Sequence, residues 1–386
     1  MSIVPRNHYL AEVRESLLRY PVTVILGSRQ VGKSTLAKVL AQSPENHFDL
    51  DNTHDLNRLS HDSYGLLSSL RGVVVLDEIQ QMPELFREMK AIVDEPLCQT
   101  KFLLTGSASP KLVYGASESL AGRVNFIELC GFDLEEVPGQ DLERLWFRGG
   151  YPLAYLAKDD SAVDAWLRNY LQTWVIRDIR YFAGGELPPR KLANFLLLLA
   201  HYHGQSWNQH KAAQTLGLDI KTVQRYLEVF EGSYLIRILD PFDKNVGKRL
   251  HKSPRIYIRD SGLYHHLLKI RSFSQLQRGD HFGASWEGFA LEQVIRLTGG
   301  NQDPFFWRTH AGAEIDLVFP HRENPVGFEF KASKSPKVSK GSTEAVKDLG
   351  ISKLYVVHPG SNSDAISNNI QTLPITSLSD VGSLLF

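Results

Sequence analysis

The chain has 386 residues, of which 42% are hydrophobic and 22% charged, and its 43 basic residues balance its 43 acidic ones. This length predicts about two to three domains, and this composition excludes a disordered or low-complexity chain. Two cysteines form no disulfide framework and are typical of a reducing compartment. No signal peptide opens the sequence, and its longest apolar run, FLLLLA at 195–200, is too short for a membrane span. We therefore expect a cytoplasmic protein without a membrane partner.

The charge is unevenly distributed along the chain. Residues 1–150 contain 15 Lys/Arg and 20 Asp/Glu, whereas residues 201–270 contain 11 Lys/Arg, 6 Asp/Glu and six His. The local basic excess indicates a polyanionic partner for the second segment, although many solvated surfaces are equally basic.

The first motif follows an apolar, β-branched run, PVTVILG at 21–27, which predicts a buried strand. The next residues, GSRQVGKS, match G-x-x-x-x-G-K-[ST], and a helical pattern follows. Glycines let successive N–H groups point at phosphate, and the helix N-terminus adds its positive end. Lys33 is expected to contact the β/γ-phosphates, and the Ser34 hydroxyl to bind Mg²⁺. We predict ATP and Mg²⁺ as cofactors, with ATP bound by Gly27, Ser28, Arg29, Gln30, Val31, Gly32, Lys33, Ser34 and Thr35. For Arg29 the alternative to a phosphate contact is a solvated loop position.

A second buried strand, in GVVVLDEIQ at 72–80, ends in two carboxylates. Asp77 is suited to hold Mg²⁺, and Glu78 is placed to orient and deprotonate the attacking water. A lone Asp-Glu pair after a strand would be ordinary helix capping, but together with the preceding loop it favours catalysis.

A third buried strand, KFLLT, precedes the segment GSAS. Ser107 is our first choice for a polar contact to the γ-phosphate or the water, and Thr105 is the second; a simple Ser/Gly turn is the alternative. Arg123, in ESLAGRVNFIEL, could act as an arginine finger on a neighbouring subunit, or it is an exposed Arg at a strand edge.

Several stretches together resemble the AAA+-type ATPases of the AAA_14/DUF4143 family. The resemblance rests on GSRQVGKST, VVVLDEIQ, FLLTGSAS, LAGRV, FRGGYPLAYL, YLQTWVIRDI and YIRDSGL, and so extends over nearly the whole chain. It implies an ATPase core with an additional strand, and the Glu beside the metal-binding Asp as catalytic base. It also implies a homo-oligomer, without a particular ring size.

The middle of the chain predicts a helix-turn-helix. A helix at 209–216 ends at Gly217, Asp219 caps a second helix at 220–231, and a strand follows. A basic hairpin then resembles a wing, so DNA is a predicted partner. The expected contacts are Lys221, Thr222, Gln224 and Arg225 on the second helix, and Lys244, Lys248, Arg249, Lys252 and Arg255 on the wing. Winged helices also serve as protein-contact or assembly modules, and that alternative stays open.

The last third predicts the order α-β-β-β-α-β, with polar residues on otherwise apolar strands. Glu287, Asp316, Glu329 and Lys331 resemble the catalytic pattern of the PD-(D/E)xK nuclease superfamily. Such a set could bind one or two Mg²⁺ ions and orient a water against phosphate. The alternatives are a chance match, or a domain that keeps this fold and binds DNA without cutting it.

These patterns predict an α/β multidomain chain. Its domains are a P-loop ASCE/AAA+-like parallel sheet at 1–145, a helical lid or linker at 146–200, a winged helix at 201–272, and a PD-(D/E)xK nuclease-like α/β domain at 273–386. The leading hypothesis is an ATPase that acts on DNA, such as branched DNA in repair, recombination or defence. The alternatives are a nucleotide-gated switch for a protein partner, and a nuclease whose assembly ATP controls.

Overall fold

The chain is described by a computed structural model and divides into two compact units. The N-terminal unit comprises Met1–Gly131 with Gly232–Tyr234, and the C-terminal unit comprises Phe132–Glu231 with Leu235–Phe386. The structure describes residues 4–41, 43–96, 98–106, 110–138, 141–175, 188–243, 250–297, 303–321 and 324–382.

The N-terminal unit alternates strands and helices. Its elements are α1 (Asn7–Arg19), β1 (Val22–Leu26), α2 (Lys33–Leu40), β2 (His47–Asp49), α3 (Thr53–Ser69), β3 (Gly72–Asp77), α4 (Leu85–Val93), β4 (Thr100–Thr105), α5 (Pro110–Ser119) and β5 (Val124–Glu128). In the described part of this unit the strands form one parallel sheet in the order β2-β3-β4-β1-β5. Strand β4 therefore lies between the strand before the Gly-rich loop and the strand that ends in Asp77.

Burial on both faces explains why these strands read as continuous apolar runs. All five residues of β1 are buried, and β3 and β4 bury their last four. Helices packed on both sheet faces exclude water from such strands. The carboxyl ends of parallel neighbours meet at one sheet edge, which places Leu26, Asp77 and Thr105 together.

The C-terminal unit begins with helices and continues into a mixed sheet. Its helices are α6 (Leu142–Arg148), α7 (Pro152–Tyr155), α8 (Asp160–Tyr170), α9 (Pro189–His201), α10 (Gln209–Leu216), α11 (Ile220–Gly232), α12 (Ser261–Leu267), α13 (Phe273–Arg278), α14 (Phe282–Leu297), α15 (Lys340–Leu349) and α16 (Ser379–Gly382). Its strands are β6 (Gln205–Ser206), β7 (Ile236–Pro241), β8 (Arg255–Ile258), β9 (Phe305–Arg308), β10 (Glu314–Phe319), β11 (Val326–Phe330), β12 (Lys353–His358), β13 (Ala365–Ser367) and β14 (Ile370–Pro374).

The described strands of this unit form one sheet, in the order β13-β14-β12-β11-β10-β9-β7-β8-β6. Strands β7 and β9 join its two halves by parallel pairing of Asp240 with Phe305 and of Pro241 with Phe306. The predicted boundary at 272/273 therefore falls within a unit whose sheet runs through both segments.

The predicted helix-turn-helix elements lie where the sequence placed them. Helix α10 spans 209–216, Gly217 adopts the left-handed conformation with φ 60°, and α11 begins at Ile220. Asp219 Oδ1 accepts a hydrogen bond from Thr222 N at 2.8 Å, which is the expected cap. The C-terminal order α14-β9-β10-β11-α15-β12 also agrees with the prediction, to which the structure adds β13 and β14. None of the helices in the described ranges has the length and apolarity needed to span a bilayer.

Candidate functional site

The loop between β1 and α2 has the backbone conformation that its glycines predict. Gly27 has φ 148°, and a Cβ there would lie 2.1 Å from the Leu129 carbonyl oxygen. Gly32 has φ 100°, and a Cβ there would have no neighbour within 4 Å. Glycine is therefore favoured at this position by the backbone dihedral alone and not by lack of space. Gln30 is also left-handed, with φ 64°. Three left-handed residues in one six-residue loop bend the chain around the start of α2.

Lys33, the first residue of α2, is buried beneath this loop. Its Nζ donates hydrogen bonds to Gly27 O and Ser28 O, each at 3.0 Å, and its side chain is 6% exposed. Burial lowers the pKa of Lys33 to about 8, and the nearby carboxylates of Glu78 and Asp77 oppose that shift. A buried ammonium whose partners are neutral carbonyls is a favourable neighbour for phosphate oxygens.

Asp77 is buried at the end of β3, where the neighbouring strand supplies a hydrogen bond. The Thr105 hydroxyl, at the end of β4, donates to Asp77 Oδ1. This contact fixes the orientation of a carboxylate that the sequence assigned to Mg²⁺, as outer-shell partners do at metal sites. Thr105 is thus joined to the site through Asp77, whereas Ser107 lies outside the described residues.

Glu78 follows Asp77 in a conformation that side chains rarely adopt, with φ 59°. Its Oε2 accepts a hydrogen bond from Gln80 Nε2, and the Gln80 Oε1 atom is buried without a hydrogen-bond partner in the described structure. Uncommon backbone conformations of this kind concentrate at functional sites, where the surrounding structure holds them. Gln80 is a contact that the sequence motif did not indicate.

The remaining loop residues have different environments. Ser28 and Val31 are buried, Gly32 and Ser34 are partly buried, and Arg29, Gln30 and Thr35 are exposed. The exposed members can be reached by a ligand approaching from solvent. Ser34 lies in the first turn of α2, one residue after Lys33.

Arg6 contacts the loop from the N-terminal end of the chain, and nothing in the sequence indicated it. Its guanidinium donates to Val31 O at 3.0 Å, Cys130 O at 2.8 Å and Gly131 O at 3.2 Å, and it is 7% exposed. An Arg that bridges the loop carbonyl to the chain after β5 stabilises the loop conformation. A charged residue near a terminus reads as solvated, so only the tertiary structure could place it here.

Arg123 lies at the amino-terminal ends of the strands, whereas the loop above Lys33 lies at their carboxyl ends. It precedes β5, its Nε and Nη2 pair with Asp94 at 2.5 and 2.9 Å, and Val22 N donates to its carbonyl oxygen. Five strand residues separate it from the end of β5 at Glu128, which corresponds to about 16 Å. Arg123 therefore does not reach the phosphate loop of its own chain.

The C-terminal unit brings together the four residues of the nuclease-like motif. Asp316 and Glu329 lie on adjacent antiparallel strands β10 and β11, and both are buried. Lys331 Nζ lies 3.5 Å from Glu329 Oε2, and Asp316 Oδ2 accepts from Phe330 N at 3.1 Å. Glu287 on α14 faces the same group, because Asp316 is among the charges that shift its pKa.

Other residues join this group that the motif does not contain. Arg255 on β8 ion-pairs with Glu314, and Tyr257 donates a hydrogen bond to Glu287 Oε1 at 2.7 Å. Burial, with a contribution from Asp316, raises the pKa of Glu287 to about 8. The expectation that Arg255 lies on a basic wing surface is wrong, because its side chain is 3% exposed and faces carboxylates.

The other residues predicted to contact DNA are only partly described. Lys221, Gln224 and Arg225 are exposed on α11, and Lys252 is exposed just before β8. The Thr222 hydroxyl donates a hydrogen bond to the capping Asp219 carboxylate, and Gln224 Nε2 donates to Glu228 Oε1 at 2.9 Å. The predicted wing residues Lys244, Lys248 and Arg249 lie outside the described residues.

Comparison with known proteins identifies related chains along the full length. Family models match in succession: an AAA domain (AAA_14) at residues 19–138, a domain of unknown function (DUF8612) at 139–274, and a domain of unknown function (DUF4143) at 282–378. Uncharacterized proteins of Mycobacterium bovis and Mycobacterium tuberculosis are each 38% identical over 383 residues, which is 99% of this chain and 86% of theirs.

Solved structures give weaker matches. A Walker-type ATPase of Pyrococcus abyssi is 17% identical, with 69% of this chain and 96% of that chain covered, at a TM-score of 0.46. Domain III of the Thermotoga maritima replication initiation protein DnaA is 16% identical, with 60% and 94% covered, at a TM-score of 0.25. Scores this low carry no argument about function. The family models and the mycobacterial relatives show that the chain belongs to the AAA_14/DUF4143 family, and that it is an AAA-type P-loop ATPase.

Proposed function

We propose that the chain is an Mg²⁺-dependent ATP hydrolase whose nucleotide cycle is coupled to DNA binding or remodelling. ATP hydrolysis is supported above all by the position of Lys33, Asp77 and Glu78 at one edge of the sheet. Both carboxylates lie close enough to Lys33 to influence its pKa. A phosphate-binding cation beside two carboxylates is the set that phosphoryl transfer to water requires.

Each residue has a separate part in this reaction. Lys33 exchanges its two carbonyl partners for phosphate oxygens, and the loop N–H groups bind the remaining oxygens. Glu78 accepts a proton from the attacking water, and the amide of Gln80 positions its carboxylate. The Ser34 hydroxyl and the Asp77 carboxylate are hard oxygen donors, and the Mg²⁺ that they suit would neutralise phosphate charge.

The DNA half is supported by the surface of α11 and its surroundings. The order α9, β6, α10, α11, β7, β8, with β6 and β7 pairing on either side of β8, supports the winged-helix interpretation. Lys221 and Arg225 are exposed on the second helix of the helix-turn-helix pair, where such domains contact DNA. The basic excess of residues 201–270 would supply a salt-dependent attraction to phosphate.

Rates of ATP hydrolysis test the proposal, measured without nucleic acid and then with single-stranded, duplex and four-way-junction DNA. One DNA structure should raise the rate several-fold, and Lys33→Ala and Glu78→Gln should lose hydrolysis by a factor of about 10² or more. Lys38→Ala is the matched control, since Lys38 is an exposed lysine on the same helix. An unstimulated, slow wild-type rate without DNA binding would favour a nucleotide-gated switch for a protein partner.

The DNA surface is tested by the pair Lys221→Ala/Arg225→Ala. We expect weaker DNA binding, a shallower salt dependence and loss of stimulation, with the basal rate kept. Lys337→Ala/Lys347→Ala is the control, because it removes two exposed lysines elsewhere in the same unit. Equal effects of the two double variants would point to bulk charge and contradict a specific surface.

A role for Arg123 requires a second copy of the chain. Because Arg123 lies about 16 Å along the sheet from its own loop, it could act only on the phosphates of a neighbouring copy. Mixing Arg123→Ala with Glu78→Gln should then restore part of the activity that each variant lacks alone. Failure of mixed samples to regain activity, with both variants assembled, would argue against this role.

A further inference from the structure

Arg255 stands in the middle of the acidic residues of the C-terminal unit. We call Glu287, Glu314, Asp316 and Glu329 the carboxylate cluster. Besides its ion pair with Glu314, the Arg255 guanidinium lies 3.6 Å from Asp316 Oδ1 and 3.7 Å from Glu287 Oε1. Its Cζ atom lies 4.8 Å from the ring centroid of Phe306. An arginine keeps its proton at all accessible pH values, so a permanent cation is built into this cluster.

We propose that Arg255 takes the place of a divalent cation, so that the carboxylate cluster is a buried ion-pair network without metal-dependent nuclease activity. Mg²⁺ binds oxygen at about 2.0–2.1 Å, so oxygens that share one ion lie within roughly 4 Å of one another. No three members of the cluster, all of them described, offer one oxygen each within 4.8 Å of the others. The carboxylates are spaced around a guanidinium, which is wider than a metal ion.

The backbone of Arg255 is held in place on both sides. Strand β8 lies between β6 and β7, and Arg255 is paired with Ser206 on one side and Leu239 on the other. Movement of the side chain alone would leave Asp316 and Glu314 without their cation in a buried site, which is unfavourable. Arg255 is therefore a fixed part of the cluster and does not move away to admit a metal ion.

The charge balance around the cluster leaves little to attract a divalent ion. Lys331 Nζ lies 3.5 Å from Glu329 Oε2, so this carboxylate already has a cation beside it. Arg308 Nε lies 3.3 Å from Glu314 Oε2 at the more exposed rim. Arg255, Lys331 and Arg308 thus oppose the four carboxylates, and a metal ion beside Arg255 would meet its repulsion.

Divalent-ion binding to the full-length chain tests this proposal independently of ATP hydrolysis. Asp77→Asn is included as background, without nucleotide, so that the N-terminal site contributes no metal binding. Titration with Mn²⁺, followed by electron paramagnetic resonance, should show no saturable site that Asp316→Asn removes, and plasmid DNA should stay intact in Mg²⁺ and in Mn²⁺. Arg255→Met removes the guanidinium that spaces the carboxylates, so their side chains can approach one another. This variant should gain a single saturable Mn²⁺ site, and adding Asp316→Asn should abolish it.

Arg308→Met is the matched control, because it removes a cation from the rim of the same cluster and should create no such site. Wild-type nicking of DNA that Asp316→Asn or Lys331→Ala abolishes would overturn the proposal. So would saturable Mn²⁺ binding by the background chain that Asp316→Asn removes, or a folded Arg255→Met chain that gains no site. Arg255→Gln substitutes if the Met variant is insoluble, and the wild-type measurements decide the question even without it.

Discussion

The two units each place a buried cation among carboxylates, but the cations have different partners. In the N-terminal unit, Lys33 Nζ is bound by two main-chain carbonyls at 3.0 Å, and the carboxylates act on it from further away. In the C-terminal unit, Arg255 is bound directly by Glu314 and faces two further carboxylates below 4 Å.

This difference determines what each cation can do. Neutral carbonyls hold Lys33 without cancelling its charge, so the charge is available to a phosphate that enters. Carboxylates cancel much of the charge of Arg255, so little of that charge is available to a ligand. A sequence motif records the residue types but not the immediate partners, and the partners distinguish a ligand site from a structural ion pair.

The largest expected effect concerns stability and compares two arginine pairs. Arg255→Ala removes the guanidinium that the buried Asp316 carboxylate faces at 3.6 Å, and should destabilise the C-terminal unit by about 3–5 kcal/mol. Arg123→Ala breaks a pair with Asp94 whose side chains are 34% and 42% exposed, and should cost about 0–1 kcal/mol. Thermal unfolding followed by calorimetry measures both. Comparable decreases in melting temperature for the two variants would contradict the expected difference between the two arginine pairs.

A smaller effect is expected at the end of β3 in the N-terminal unit. Thr105→Val removes the hydroxyl that donates to Asp77, so the carboxylate loses its orientation. We expect the Mg²⁺ concentration for half-maximal ATP hydrolysis to rise by about 10–100-fold, with Thr105→Ser close to wild type. An unchanged Mg²⁺ requirement in the Val variant would show that the hydroxyl acts elsewhere.

Arg6 offers a third test, on the loop itself. Arg6→Ala removes the charged donor that binds Val31 O, and one such hydrogen bond contributes about 1.5–3 kcal/mol. We expect the dissociation constant for a fluorescent ATP analogue to rise by about tenfold. Arg14→Ala is the control, since Arg14 is an exposed arginine of α1, the helix that follows Arg6. An unaltered affinity with lowered stability would make Arg6 a purely structural residue.

Local signals predicted the elements well. Strands β1 and β3 read as β-branched apolar runs because both of their faces are buried, and α10 and α11 are bounded by a left-handed Gly217 and a capping Asp219. These signals act within a few residues, so they can be recognised without knowledge of the tertiary fold. The glycine pattern fixed the phosphate loop for the same reason.

The partners of polar side chains could not be predicted in this way. Arg6 and Arg255 both belong to polar stretches of sequence, and each is buried by contacts with distant segments. Arg255 lies on a strand, RIYI, in which all four residues are buried, so strand alternation could not assign its face. Sequence alone therefore indicated Glu287, Asp316 and Glu329 in the C-terminal unit, but neither Glu314 nor the arginine that lies among these carboxylates.

The smallest expected effect is a pH dependence of nucleotide binding, and it follows from how Lys33 is held. Burial lowers the pKa of Lys33 to about 8 in the nucleotide-free chain, whereas phosphate oxygens favour the charged ammonium. Binding above pH 8 must then take up a proton, so affinity for ATP should fall by up to about tenfold per pH unit. Calorimetric titrations between pH 7 and 9.5, in buffers of different ionisation enthalpy, measure both quantities.

Stability should follow the opposite trend in the same chain. An unfolded Lys titrates near 10.5, so the unfolded state holds more protons than the folded state between pH 8 and 10.5. The contribution of Lys33 to the free energy of unfolding therefore rises with pH in that window, while nucleotide affinity falls. Lys33→Arg is the control, because a guanidinium stays charged and should give an affinity that does not change with pH. A wild-type affinity equally insensitive to pH would mean that the two carbonyl partners keep Lys33 fully protonated, and that its burial has no consequence for binding.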